Sequence, residues 1–184
     1  MRACIAPDRC GVNRDFAGSK PTDDAAGEMT PSNANLRRAA DCKVRGSRLH
    51  REGRRVDAKR AYLQALALVP DDAAALNNLG VVEVELGQFA EALDTFARLE
   101  RLRPADPVPA LALGRALLLA GRVREAIAKI ESAAALDPGR ADAFHLLGIA
   151  HARDGDADGA MAAYRGALQR RPDHSAALSN LVDL

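Results

Sequence analysis

Tryptophan is absent from this 184-residue chain, and its two tyrosines and four phenylalanines make it only 3% aromatic. So few large rings suit helices packed through small residues better than the interior of a β-sandwich. No stretch approaches the 18 or so consecutive apolar residues of a membrane-spanning helix. The opening Met-Arg-Ala-Cys-Ile-Ala-Pro-Asp also lacks the apolar core of a secretory signal, so a cytoplasmic protein without membrane insertion is expected. The three cysteines make no disulfide framework: Cys42 falls inside a helical pattern, while Cys4 and Cys10 lie in a polar stretch without zinc-site spacing. A reducing compartment fits that usage. A net charge of +1 excludes a global pull toward nucleic acid or membrane. Gly-Lys-Ser/Thr phosphate loops, Gly-x-Ser-x-Gly elbows and His-Glu-x-x-His motifs are all missing, and no catalysis and no cofactor are expected.

What the chain does have is a period. Glycine recurs at 46, 80, 114 and 148, and again at 53, 87, 121 and 155, each time with a step of 34 residues. Ala58, Ala92, Ala126 and Ala160 keep the same step, as do Pro70, Pro104, Pro138 and Pro172. Such a period with two amphipathic helical patterns per unit predicts an all-α solenoid of helix-turn-helix units, each stacked on its neighbours. Units run over 39–72, 73–106, 107–140 and 141–174, with a capping half-unit at 175–184. Counted from the start of each unit, the first helix is predicted over positions 1–14 and the second over 17–30. The glycine at position 15 closes the first helix in the left-handed conformation, and the proline ends the second. The glycine at position 8 lies inside a helix, where a close approach by the position-20 alanine offsets its cost. Residues 1–35 read as a disordered tail, broken by Pro7, Gly11, Gly18, Pro21, Gly27 and Pro31. An inert tail, or a start codon placed upstream of Met29, is the expectation for residues 1–28.

Leu76, Leu79-Gly80, Ala92, Phe96 and Pro104 match a known order of large residue, Leu-Gly, alanine, aromatic and closing proline. Phe144, Leu147-Gly148, Ala160, Tyr164 and Pro172 match it again. In these columns the chain resembles the tetratricopeptide repeat (TPR) family over residues 39–174. The resemblance implies a right-handed superhelical stack whose first helices line a concave groove that binds a protein or peptide. Two departures stand out: Cys42 and Arg45 replace large apolar residues in the first unit, which suggests a polar capping helix or a less stable end. Beyond the fourth unit, Leu178 and Leu181 are in phase to cover the exposed edge.

Positions 2, 5, 9 and 12 point roughly 130° away from the packing face at about 100° per residue. With the resemblance, they place Lys43, Ser47, His50, Asn77, Val81, Val84, Val108, Leu111, Arg115, Leu118, His145 and Ile149 on the groove, with Asn78 beside them. One end is polar and basic, and the middle is apolar. An exposed aliphatic stripe of this kind favours an apolar or amphipathic peptide partner. The alternative is that these residues are partly buried between neighbouring first helices. A co-chaperone clamp for a C-terminal carboxylate would need an asparagine at Ser47 and cations at Val108 and Ala112, and only Lys43 and Asn78 match it. The asparagine ladder of glycosyltransferase repeats would fill the column Val44, Asn78, Ala112, Leu146 and Asn180, where two rungs remain.

The best-supported role is therefore a non-catalytic adaptor or scaffold, in assembly or secretion-chaperone work, with its oligomeric state open. A repeat region attached to a glycosyltransferase or sulfotransferase is the rival, and it needs some hundreds of residues after Leu184. A third reading rests on residues 37–60, which carry ten Lys or Arg against Asp41, Glu52 and Asp57 and could attract nucleic acid or an acidic partner. The segment has no interleaved aromatics for stacking, and a solvated capping face explains it as well. Asp154-Gly155-Asp156-Ala157-Asp158-Gly159 opens like a calcium loop but carries Arg165 at the twelfth position, so it reads as an ordinary turn between helices.

Overall fold

Glycine and proline set the ends of the helices. The computed structural model describes residues 31–183, and the sequence readings on Cys4, Cys10 and residues 1–30 lie outside them. Within the described residues the order is α1 (Pro31–Arg51), α2 (Arg55–Leu68), α3 (Ala73–Glu85), α4 (Phe89–Leu102), α5 (Pro107–Leu119), α6 (Val123–Leu136), α7 (Ala141–Asp154), α8 (Ala157–Arg170) and α9 (Ser175–Val182). Gly53, Gly87, Gly121 and Gly155 follow the first helix of each pair with φ between +73° and +84°. A Cβ on any of them would meet nothing within 4 Å, so the left-handed backbone alone demands glycine there. Asp72 and Asp106 cap α3 and α5 by accepting from the Ala75 and Val108 N–H groups.

The chain is an α-solenoid. Each helix packs on the one before and the one after it, and the odd-numbered helices also touch one another, α1 on α3, α3 on α5 and α5 on α7. Successive even-numbered helices have no comparable contact, so the odd set forms the inner wall of a curved stack. The core is a seam from Ala39 to Ala150 running between the two layers, followed by a second cluster of Ala160, Tyr164, Ala167 and Ala177. Alanine at position 20 is fully buried in every unit, which lets the paired helices close together.

Three expectations are corrected here. First, α1 begins at Pro31, so residues 31–35 are helical rather than part of a tail; proline suits a first helical position, and no glycine interrupts the helix before Gly46. Second, the neighbour of the position-8 glycine is the bulky residue of the second helix rather than its alanine. A Cβ on Gly46 would lie 2.7 Å from the Tyr62 ring and one on Gly80 2.6 Å from Phe96. On Gly114 it would lie 2.5 Å from Ile130 Cγ1, with the Ala126 carbonyl oxygen farther off at 3.4 Å. Third, Leu178 does not cover the last unit. It stays 46% exposed, while the smaller Ala177 is buried in the second cluster and Leu181 packs beside it.

Candidate partner-binding groove

Helices α3, α5 and α7 present their inner faces to one open cleft of about 460 Å³. Asn77 and Val81 enter it from α3, Val108, Leu111, Ala112 and Arg115 from α5, and Asp142, His145 and Leu146 from α7. Arg140 and His174 close its far end. The residues read from the sequence as groove are therefore separated by the structure. Asn77, Val81, Val108, Leu111, Arg115 and His145 come together in this cleft. Ile149 lines a separate hollow with Ala152, Arg153 and Tyr164, and Val84 packs partly buried against the core. Asn78 is half-buried on α3.

The polar end is occupied by neighbours. Lys43 Nζ lies 2.5 Å from Asp72 Oδ2, His50 Nε2 lies 3.0 Å from Glu85 Oε2, and Ser47 Oγ lies 3.1 Å from the Tyr62 hydroxyl. Burial would raise the Asp72 pKa, but the Lys43 bond and the Ala75 and Ala74 N–H groups outweigh it and hold this carboxyl below its ordinary range. The Arg55 bond pulls Glu85 down as well, against some desolvation and with help from His50. Part of the basic excess of residues 37–60 is spoken for in this way, since Lys43 pairs with Asp72 at the end of the first unit and Arg55 and Lys59 pair with Glu85 and Glu83 of the second.

Leu118 needs correction. It is 3% exposed, and its carbonyl accepts from Arg153 Nη1 of α7 at 2.8 Å, so it belongs to the contact between inner helices and not to the groove surface. Helical phase alone could not tell this position from Leu111, because burial at position 12 depends on how closely the next unit's first helix folds over it.

At the far end of the cleft the His145 and His174 rings sit 4.7 Å apart, centre to centre. Burial and the His174 ring lower the His145 pKa, with Asp142 opposing, which favours a neutral ring. Asn180 Nδ2 lies 3.2 Å from His145 Nε2 and donates to the Tyr164 hydroxyl at 3.3 Å, which ties α9 to α7 and α8. Asp142 pairs with Arg171 at 3.2 Å. The Asp154–Gly159 stretch is a capped turn: Asp156 accepts from the Gly159 N–H at 2.9 Å and meets His151 Nδ1 at 2.9 Å.

Paired helices with glycine-marked turns and an inner-helix groove fit the tetratricopeptide repeat pattern read in the sequence. A model of the tetratricopeptide repeat matches residues 44–107 and 111–175, well over half of the chain. The chain belongs to the tetratricopeptide repeat family. Among curated proteins it is similar to the cellulose synthase 2 operon protein C of Komagataeibacter xylinus, with 39% identity over 114 residues, 61% of this chain and 9% of that protein. It is also similar to the protein FlbA of Caulobacter vibrioides, with 33% identity over 121 residues, 66% of this chain and 20% of that one. The chain thus spans a fifth or less of these relatives. Among solved structures, a crystal structure of MamA superposes with a TM-score of 0.68 at 25% identity, covering 74% of this chain and 80% of that one. The TPR protein TTC0263 of Thermus thermophilus superposes with a TM-score of 0.67 at 23% identity, covering 79% and 80%.

Four members of the cleft lie outside the positions read as groove: Ala112 and Leu146 at position 6, and Arg140 and His174. Arg140 and His174 each precede a first helix, outside the positions counted as groove, and only the stacking angle between units swings them inward. The signal available was local: His174 stands where Asp72 and Asp106 stand in earlier units, at the N-cap. Among the described residues no helix is long and apolar enough to cross a membrane.

Proposed function

We propose that this TPR domain is a non-catalytic adaptor that captures a segment of a partner protein in the cleft along its inner helices. The observation that carries this reading is the run of incompletely buried aliphatic residues, Val81, Val108 and Leu111, which belong to successive units and share one open cleft. Apolar surface left in contact with water is stabilised when a partner covers it, and a concave site gives that partner contacts on several sides. The similarity to a protein of a cellulose synthase operon supports a setting in multi-protein assembly. Pairing of Lys43, Arg55 and Lys59 with Asp72, Glu85 and Glu83 supports assigning recognition to the groove and not to residues 37–60 as a nucleic-acid surface.

Leu111→Glu tests the reading. It sets a carboxylate on the floor of the cleft at a partly buried position beside the core, and an unpaired charge in a desolvated contact costs several kcal/mol, enough to lose a roughly micromolar complex. The full chain and the variant are immobilised, exposed to native lysate, and compared by mass spectrometry alongside a thermal melt. The expected result is a folded variant that no longer retains the proteins captured by the parent. Capture at parental strength would move recognition to the outer face or the basic end.

A further inference from the structure

The cleft contains a buried donor that nothing in the protein uses. His174 is 9% exposed, and its Nδ1 accepts from the Ala177 N–H at 3.3 Å. A neutral imidazole whose Nδ1 accepts carries its proton on Nε2. That Nε2 has no hydrogen-bond partner, and the nearest carboxylate oxygen, Asp142 Oδ1 at 3.3 Å, lies outside hydrogen-bonding geometry. Buried donors are rarely left unmet, so an incoming acceptor is favoured here. Asp142 makes the spot unsuited to an anion and suited to a neutral carbonyl oxygen. Each carbonyl inside a helix already accepts from the helix's own N–H groups and lies along the axis, whereas an extended backbone turns unused carbonyls outward along its whole length.

The cleft wall adds a charge preference. Arg115 projects from α5 into the cleft, exposed, and has no ion-pair or hydrogen-bond partner among the described residues. Arg140, by contrast, is held by Asp137 at 3.1 Å, and Asp142 has Arg171 at 3.2 Å as its partner while its carboxylate still faces His174. The unspent charge of the cleft is therefore positive, and it sits beside the apolar surface of Val108 and Leu111.

Building on the groove reading above, we propose that the occupant is an extended segment of another protein. One of its aliphatic side chains rests on Val81, Val108 and Leu111, an Asp or Glu side chain pairs with Arg115, and a main-chain carbonyl accepts from His174 Nε2–H. Side chains two residues apart lie on the same side of an extended chain, so the acidic residue stands two positions from the aliphatic one.

The test uses a library of random twelve-residue peptides displayed through their C termini, so that no free carboxylate is offered, and panned on the full chain. The expected consensus pairs Asp or Glu with Leu, Ile or Val at a spacing of two. The consensus peptide, synthesised with an amidated end and followed by fluorescence anisotropy, loses at least roughly tenfold in affinity on Arg115→Gln. It loses about three- to tenfold on His174→Ser, which keeps a capping oxygen for the Ala177 N–H but removes the donor. Replacing the acid of the peptide by its amide costs the parent the same factor and costs the Arg115→Gln variant nothing, as a coupled pair requires. If circular dichroism shows that His174→Ser has lost α9, the Arg115 cycle decides alone. An aliphatic consensus without acid, indifferent to Arg115→Gln, overturns this proposal and leaves the groove reading in place, and so does a consensus with helical spacing. No enrichment at all, together with lysate capture unaffected by Leu111→Glu, overturns both.

Discussion

Lys59 Nζ lies 3.1 Å from Glu83 Oε1, joining the second helix of the first unit to the first helix of the second through a carboxylate that is 3% exposed. The other carboxylate oxygen accepts from Thr95 Oγ1 at 2.8 Å, and Lys59 also donates to Gln88 Oε1 at 2.7 Å. Every polar atom of the crossing is met, which is the condition under which a buried charge is tolerated.

Removing one partner should therefore cost more than removing both. Lys59→Met leaves Glu83 buried without its cation and is expected to lower stability by about 3 kcal/mol in a urea melt. Lys59→Met combined with Glu83→Leu should recover most of that loss. Equal or additive losses would show that the two side chains act independently.

The position-8 and position-15 glycines are irreplaceable for different reasons, and alanine distinguishes them. Gly80→Ala gains up to about 1 kcal/mol of helix propensity but drives a methyl into the Phe96 ring, and a net loss of about 1–3 kcal/mol is expected. Phe96→Leu in the same chain should relieve part of it. Gly87→Ala meets no neighbour, yet φ is +73° and a loss of about 1–2 kcal/mol is expected with no rescue from Phe96→Leu. Denaturant midpoints of the four variants check both claims.

Acid should weaken the junction between the first two units. Asp72 and Glu85 both titrate below their ordinary values in the folded chain. Carboxyls depressed on folding contribute stability that is present above their unfolded values, near about 4, and lost as the pH falls through the lower folded values. The melting temperature should thus drop below about pH 4, and Asp72→Asn, which keeps a capping oxygen, should flatten that drop while lowering stability at neutral pH. A drop unchanged by Asp72→Asn would place the acid sensitivity elsewhere.

Leu111 and Leu118 lie one helical phase step apart in the sequence reading but in different surroundings. Leu118→Glu puts a charge into the contact between α5 and α7 and is expected to cost more than about 3 kcal/mol. Leu111→Glu, on the open floor, should cost about 1 kcal/mol. Thermal melts of the two variants, side by side, measure the difference.

The helix ends of units two to four were legible because single residues with backbone constraints mark them. Gly87, Gly121 and Gly155 can be read as left-handed stops, and Pro104 and Pro138 as limits, without knowing any neighbour. The start of α1 was not legible, because residues 31–45 contain no such mark after Pro31 and too few apolar residues in phase. Half of the candidate groove was readable as helical phase. The rest depends on contacts between units: Leu118 is covered by α7, Lys43 and His50 are claimed by Asp72 and Glu85, and His174 is turned inward by α9. A period in the sequence fixes what each unit is and says little about the angle between units, and the cleft is made by that angle.

The restriction of packing to neighbouring helices has a mechanical consequence. Pulled by its two ends, such a stack has no long-range staple that must break before anything else moves, so it should yield at low force and in steps. Each step would release one unit of 34 residues, roughly 110–120 Å of extended chain. Units whose partners are still stacked would hold while the terminal ones peel, and the cleft, spread over α3, α5 and α7, would lose its shape as soon as the first of these three left the wall. Tension on the chain is thus coupled directly to release of whatever the groove holds.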